Sequence, residues 1–274
     1  MYVAIIFENI AEEIKEILLA ILQETAEGFE ENDNGLTAIF LKENYNEEEI
    51  AEIAGTYKVL YKKETITSRN WNALWESNFD PVIIDDFAGI RAAFHEPMKN
   101  IQHEIIITPK MSFGTGHHAT TYLMIQQMRK TDFTHKSVFD FGTGTGVLAI
   151  MAHKLGASEV VANDIDEWSI TNAWENFDHN NTQSIQLLQS DTAEMDKSFD
   201  IILANINRNV LLENMPALAK QLKKEGHLIL SGILKEDVAA ITKCCSENGL
   251  TFAEQSERNN WVCLAVRKLM VDNP

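Results

Sequence analysis

The chain has 274 residues, 45% hydrophobic and 23% charged, with 13 glycines and 5 prolines, a composition that excludes disordered, collagenous and low-complexity proteins and leaves room for one large domain or two modest ones. No apolar run approaches the ~20 residues of a spanning helix, and the opening MYVAIIFENIAEE lacks a basic n-region and cleavage site, so the sequence predicts a cytoplasmic protein with no membrane contact. A net charge of −18 argues against direct nucleic-acid binding and for a basic partner.

The excess charge is uneven. Residues 1–64 hold 15 acids and 5 bases, more than half of it in under a quarter of the chain, which predicts a separate acidic module. Within it Tyr2–Phe7 reads as a strand, and Ile10, Ile14, Ile17, Leu18, Ile21 and Leu22 recur at helical spacing. The turn cluster Asn32–Gly35 leads into the apolar run Leu36–Leu41. Asn46 before Glu47, Glu48 and Glu49 is a helix start, and Tyr57, Val59 and Tyr61 alternate as a strand does. The expected order is strand, helix, strand or hairpin, helix, strand, a small α+β domain over residues 1–66. Residues 67–110 read as a linker and entry strands, with Trp71 and Trp75 as packing anchors and short strands around Val82–Ile84, Ile90–Phe94 and Ile105–Thr108.

From Ser137 the pattern alternates. Strand candidates Ser137–Phe141, Glu159–Asn163, Ser184–Gln189, Asp200–Asn205 and His227–Ser231 are separated by helical segments Leu148–Leu155, Ser169–Asp178, Val210–Leu222 and Glu236–Asn248, which predicts a doubly wound parallel α/β sheet. Leu250–Gln255 and Trp261–Val266 follow with no helix between them. They predict an antiparallel hairpin at the sheet edge, seven strands in all, in a second domain spanning 111–274. The three cysteines, Cys244, Cys245 and Cys263, have neither disulfide-framework numbers nor metal-ligand spacing and read as free thiols.

The segment Val138–Gly146 is a strand running into a glycine turn and a helix. Its Gly142, Gly144 and Gly146 follow G-x-G-x-G with Val147 where the dinucleotide fingerprint has its third glycine, which favours a nucleoside ligand without a pyrophosphate. Asp164, 22 residues after Gly142 and behind the next strand, is placed to accept both hydrogen bonds of a ribose diol. Asp191 is placed to accept from an adenine amino group, or is a solvated loop acid. Asn205 ends a buried strand at the same edge, where its amide oxygen can accept from an amine and aim the lone pair. His117 and His118 have no acid or cysteine at ligand spacing, and no metal is expected.

The segments TPKMSFGTGHHATT (Thr108–Thr121), FDFGTGTGVLAIMAHKLGA (Phe139–Ala157), NDIDEWSITNAWEN (Asn163–Asn176), FDIILANI (Phe199–Ile206) and GHLILSGIL (Gly226–Leu234) together resemble the bacterial ribosomal protein L11 methyltransferase family, from about Trp71 to Val266. The resemblance implies a class I methyltransferase fold, Rossmann-like, preceded by a mobile substrate-recognition domain of the size of the acidic module. It implies S-adenosylmethionine as cofactor, with contacts carried over to Thr121, Gly142, Asp164 and Asn205 and with Phe113 and His118 lining the pocket. Many members have a cysteine where this chain has Thr143 and a proline where it has Ala119. The implied reaction is methylation of lysine side-chain and N-terminal amines on one basic large-subunit ribosomal protein by a monomeric enzyme, with Asn205 as the catalytic residue that orients the amine. The alternatives are a methyltransferase acting on another protein or a small molecule, and a non-catalytic S-adenosylmethionine-binding regulatory module.

Overall fold

The computed structural model describes residues 2–22, 25–32, 35–66, 79–109 and 116–269. The chain divides into two compact units, Met1–Asn78 and Phe79–Pro274. Trp71, Trp75 and Phe113, singled out above, lie outside the described residues.

The first unit runs β1 (Tyr2–Glu8), α1 (Glu12–Leu22), β2 (Gly28–Asn32), β3 (Gly35–Leu41), α2 (Glu47–Tyr57) and β4 (Tyr61–Ile66). Its sheet has the order β2-β3-β1-β4 with every neighbouring pair antiparallel, a ferredoxin-like split βαβ arrangement that realises the hairpin option in the middle of the module. Alternation puts Val3, Ile5 and Phe7 with Leu36, Ala38 and Phe40 on one face, and the fully buried Leu18 and Leu22 of α1 and Ile50 of α2 cover it. Ile17 and Ile21 flank that ridge and stay more than a third exposed, so the buried stripe of α1 is narrower than its periodicity suggests. The Asn46 side chain caps α2 by accepting from the Glu48 and Glu49 amides at 3.1 and 3.5 Å, with three glutamates in the favourable first turn. At its other end the helix continues through Tyr57. Lys58 closes it in the left-handed region, φ 53°, and the Val59 amide returns to the Ala54 carbonyl at 3.0 Å, so the expected Tyr57–Tyr61 strand begins only at Tyr61.

The second unit opens with β5 (Val82–Ile84), β6 (Ala88–Ala92) and β7 (His103–Ile107), a three-stranded sheet in which β5 and β6 are antiparallel and β6 and β7 parallel. The middle strand lies two residues earlier than the sequence suggests, and Phe94 is in the turn beyond it, half exposed. Helix α3 (Ala119–Arg129) has no amphipathic signature because Thr120, Thr121, Leu123, Met124, Ile125, Gln127 and Met128 are all buried. The remaining elements are β8 (Ser137–Phe141), α4 (Val147–Lys154), β9 (Glu159–Asp164), α5 (Glu167–His179), β10 (Gln186–Gln189), β11 (Phe199–Asn205), α6 (Arg208–Gln221), β12 (Leu222–Leu234), α7 (Val238–Glu247), β13 (Leu250–Arg258) and β14 (Trp261–Lys268).

The seven strands lie in the order β10-β9-β8-β11-β12-β14-β13, the first five parallel and β14 antiparallel to both its neighbours. The alternating pattern and the terminal hairpin therefore form the predicted class I methyltransferase sheet, with the hairpin's second strand on its inner side. Apolar residues of α3, α4 and α5 fill one face and those of α6 and α7 the other. All three cysteines are free, and burial pushes the Cys245 and Cys263 thiols up to about 12. Among the described residues no helix is long and apolar enough to cross a membrane.

Two polar networks brace this unit. Buried Asn172 and Asn176 of α5 and Asn180 at its C-cap, spaced four apart, serve the free edge of β7. Asn180 accepts from the Ile106 amide at 3.0 Å and donates to its carbonyl at 2.6 Å, while Asn176 accepts from the Thr108 amide at 2.7 Å and donates to the Thr145 carbonyl at 2.8 Å. Asn172 donates to the Thr108 carbonyl at 3.4 Å. At the strand starts, Asp200 accepts from the Ser137 amide and hydroxyl at 2.9 and 2.7 Å and from Lys223 Nζ at 2.8 Å.

Burial works against the charge of Asp200, but the Lys223 ammonium and the two Ser137 donors prevail and hold its carboxyl down at about 2. A depressed folded-state pKa contributes stability that is present above the unfolded value near 4 and is lost as pH falls toward 2. Asp200→Asn is expected to lower stability by about 1–2 kcal/mol at pH 7, discounted for the half-exposed Lys223, and to match the parent protein near pH 2. Urea unfolding across that range measures it.

Candidate active site

Strands β8, β9 and β10 succeed one another outward on one side of the sheet, and β11 returns to the other side of β8, so chain order reverses at the exits of β8 and β11. In an open α/β sheet this is where a crevice forms. After β8 the amides of Gly142 and Thr143 both donate to the Asn163 carbonyl, at 3.1 and 2.8 Å, and the Gly146 amide to the Thr143 carbonyl at 2.9 Å. The Asn163 side chain, 1% exposed, donates to the carbonyls of Ser190 and Thr192 at 3.2 and 3.1 Å. Sequence reasoning gave Asn163 no role. Its signal was an amide at the inner end of an otherwise apolar strand, where burial requires partners.

The exit of β11 is fixed by close packing. A methyl group on Gly142 would come within 2.4 Å of Ile206 Cγ2, and one on Gly232, on β12, within 2.2 Å of the Ile206 carbonyl oxygen. Both glycines have positive φ, +73° and +85°. Ile206 is thereby clamped between two bare backbones, and Asn205 beside it is held at the crevice.

Asp164 closes the other side. Its Oδ2 accepts from the Gly144 amide at 2.8 Å and its Oδ1 from the Asp166 amide at 3.1 Å, which fixes the carboxylate plane and leaves each oxygen further acceptor capacity. Asp166 then caps α5 by accepting from the Ser169 amide at 2.9 Å. His118 caps α3, accepting from the Thr120 amide at 3.4 Å, with Thr121 buried just beyond it.

Together these exits enclose a cavity of about 740 Å³, within the range of small-molecule sites. His118, Thr121, Gly142, Gly144, Asp164, Asp191 and Asn205 all stand in its wall. Trp261, Ile165, Val210 and Glu213 line it as well, and the sequence reading assigned them no part. Ile165 is 67% exposed beside Asp164, an apolar surface suited to the face of a base. Trp261, which opens β14, meets the His118 ring edge to face at 4.6 Å, while His117 meets Phe79 at 4.8 Å, so the adjacent histidines turn to different partners. Among the described residues no three His, Cys, Asp or Glu side chains converge to hold a metal. The wall offers a diol-accepting carboxylate, an apolar face, a backbone turn free of side chains and an amide, and no lysine or arginine among the described residues to hold a phosphate. The donor set fits a cationic nucleoside.

Comparison with known proteins agrees with that chemistry. Residues 4–269 match the family model described as ribosomal protein L11 methyltransferase. A protein of that name from Bacteroides fragilis is 36% identical over 262 residues, 92% of this chain and 94% of its own, and one from Porphyromonas gingivalis is 45% identical over 207 residues, 74% and 71% of the two chains. The crystal structure of ribosomal protein L11 methylase from Lactobacillus delbrueckii subsp. bulgaricus superposes with a TM-score of 0.66 at 32% identity, covering 70% of this chain and all of that one.

The Ile206 clamp is open to a direct test. Gly232→Ala is expected to cost roughly 2–4 kcal/mol, combining left-handed strain with a backbone clash. Gly249→Ala shares a positive φ of +74° but meets nothing within 4 Å, and should cost roughly 1–2 kcal/mol from strain alone. Equal losses in urea unfolding would remove the clamp from the account.

Proposed function

As this chain belongs to the ribosomal protein L11 methyltransferase family and is an S-adenosylmethionine-dependent methyltransferase, we propose that it methylates lysine side-chain and N-terminal amines of ribosomal protein L11. The observation that carries the site assignment is the juxtaposition of Asp164, the glycine turn and Asn205 on three adjacent strands at one edge of the sheet. Asp164 would hold the ribose, Ile165 the face of the adenine and Asp191 its amino group. Thr121, His118, Gly142 and Gly144 would border the rest, and Phe113 joins them by resemblance alone. When bound, the cofactor supplies an electrophilic methyl group on a sulfonium.

The chain's own residues then have to deliver a neutral amine along the line of displacement. Deprotonating a lysine at pH 7 costs roughly 4.6 kcal/mol and an α-amine about 1 kcal/mol. A desolvated site beside a cation lowers both costs. The Asn205 amide oxygen accepts one N–H of the neutral amine and aims its lone pair, and the proton leaves to solvent beforehand. Asn205 is thus the catalytic residue in this reading, by orientation rather than as a base.

The first unit is assigned to substrate recognition. Its acids give a basic ribosomal protein a complementary partner and steer association, in keeping with a monomeric enzyme that needs no nucleic-acid contact. The reading places the protein in the cytoplasm.

Mass spectrometry of L11 incubated with this protein and S-adenosylmethionine is expected to show methylated amines, and their absence would sink the assignment. Asp164→Ala removes the acceptor of two charge-assisted hydrogen bonds and should weaken S-adenosylmethionine more than tenfold by calorimetry. Asn205→Ala should slow single-turnover transfer far more than it weakens the cofactor, and equal losses would confine Asn205 to binding. A protein lacking residues 1–78 should bind S-adenosylmethionine normally yet fail on intact L11, whereas full activity would leave the acidic face as a solubility feature.

A further inference from the structure

Asp140 lies one residue inside the end of β8, 1% exposed, and no step above uses it. Its Oδ2 accepts the Thr143 hydroxyl at 2.6 Å, and Thr143 itself lines the cavity. Its Oδ1 is buried and has no hydrogen-bond partner among the described residues. A carboxylate oxygen left unpaired in the interior is costly, so its charge calls for compensation from elsewhere.

Strand order indicates where compensation comes from. β8 is flanked by β9, which ends in Asp164, and by β11, which ends in Asn205. On the reading of the site given above, the ribose sits at Asp164 and the transferable methyl meets the amine at Asn205. The sulfur joins those two parts of the cofactor, so on that reading it would lie at the end of β8, where Phe141 and the glycine turn line the cavity and Asp140 stands directly behind Phe141 on the strand.

We propose that Asp140 is a specificity-determining residue that separates S-adenosylmethionine from its product S-adenosylhomocysteine by releasing a proton when the sulfonium binds. The O–H bond of the neutral carboxylic acid breaks, its electron pair stays on the carboxylate, the proton goes to solvent, and the new negative charge faces the positive sulfur. No bond to the cofactor is made. The thioether of the product carries no charge and leaves the proton where it is. An enzyme that methylates several amines must exchange product for fresh cofactor after each transfer, and this device weakens its hold on whichever form is spent.

The surroundings keep the free carboxyl poised for that release. Burial pushes it up to about 7 against the pull of the Thr143 hydroxyl, and Asp164 from β9 adds to the rise. Among the described residues the other packed elements bring no second charge to this point. The strand partners in register are Ala162 and Leu203, α4 contributes the apolar run Val147–Met151, and α3 begins with Thr120 and Thr121 behind its cap His118. A cation above a buried carboxyl is weakly screened and lowers its pKa. S-adenosylmethionine should therefore bind more tightly above pH 7 than below it, and S-adenosylhomocysteine should not.

Calorimetry on the full-length protein tests the proposal with both ligands at pH 6 and pH 8. A one-unit fall in the Asp140 pKa on binding corresponds to a roughly fivefold gain in S-adenosylmethionine affinity between those pH values. The expected change for S-adenosylhomocysteine is under twofold. Asp140→Asn keeps the shape and an acceptor for Thr143, and should flatten the S-adenosylmethionine profile and narrow its advantage over the product, with any contribution from the α-amine that both ligands carry persisting in the variant. If that variant does not fold, the parent protein still decides the matter: titrations near pH 7 in buffers of different ionisation enthalpy should show proton release with S-adenosylmethionine and none with S-adenosylhomocysteine. Equal pH dependence for the two ligands, or a variant with an unchanged profile, would overturn the proposal and leave the cofactor reading intact. Failure of both ligands to bind at either pH would overturn the cofactor reading and the proposal with it.

Discussion

The carbonyl of Asn163 receives two amides at once, from Gly142 and Thr143, and its side-chain amide is spent on the carbonyls of Ser190 and Thr192. Three consecutive strand exits, those of β8, β9 and β10, are therefore held by one buried residue, and every wall of the cavity on that side inherits its position from it. The turn can lie flat only because its amides have this acceptor. Asp164 can stand square to the cavity only because the turn offers it the Gly144 amide. The carboxylate, the glycine turn and the Asp191 loop are tied into one hydrogen-bonded unit, while Ile206, clamped by Gly142 and Gly232, fixes the opposite wall against the same turn.

Charge is distributed with similar economy across the parallel sheet. At the strand starts Asp200 is neutralised by Lys223, and the pair closes a strut between β8, β11 and β12. At the strand exits the cavity wall carries Asp164, Asp191 and Glu213, with Asp140 beneath, and no lysine or arginine among the described residues. One end of the sheet is electrically finished and the other is left negative. A cationic cofactor and an ammonium-bearing substrate are the species such an end attracts.

Much of this was legible in the sequence because period and punctuation coincided. The strands from Ser137 onward are short apolar runs separated by helices of ordinary length, so alternation alone gave the parallel sheet, and the absence of a helix between Leu250 and Val266 gave the hairpin. Asp164 was found because it follows the next strand at the spacing of a ribose-binding acid, 22 residues after Gly142, and Asn205 because it ends a buried strand at the same edge. Helix α3 was not legible because Thr120, Thr121 and Gln127 are among its buried positions, so polarity does not mark which side of it faces out. Trp261 and Ile165 were missed for another reason: their part in the cavity depends on which strands become neighbours, and β14 reaches the crevice only by inserting between β12 and β13. The Tyr57–Tyr61 alternation misled because a left-handed helix cap at Lys58 reverses the chain while leaving the same spacing of aromatic and aliphatic residues.

The asparagines of α5 show a helix standing in for a strand. Side chains four residues apart on a helix are separated by about 6.0 Å along its axis. Alternate residues of a strand are separated by about 6.6 Å. The two rulers nearly agree, which is why Asn180 can serve Ile106 while Asn176 serves Thr108, one step of four on the helix matching one step of two on the chain opposite. The mismatch of about 0.6 Å accumulates with each step. Asn172, one step further along the helix, donates to the Thr108 carbonyl at 3.4 Å, so Thr108 is held through its amide by Asn176 and through its carbonyl by Asn172. Over so few steps the mismatch stays below a hydrogen bond's tolerance, so a helix can do for the edge of β7 what a further strand would do, with Thr108 just past its end gripped from both sides of its backbone.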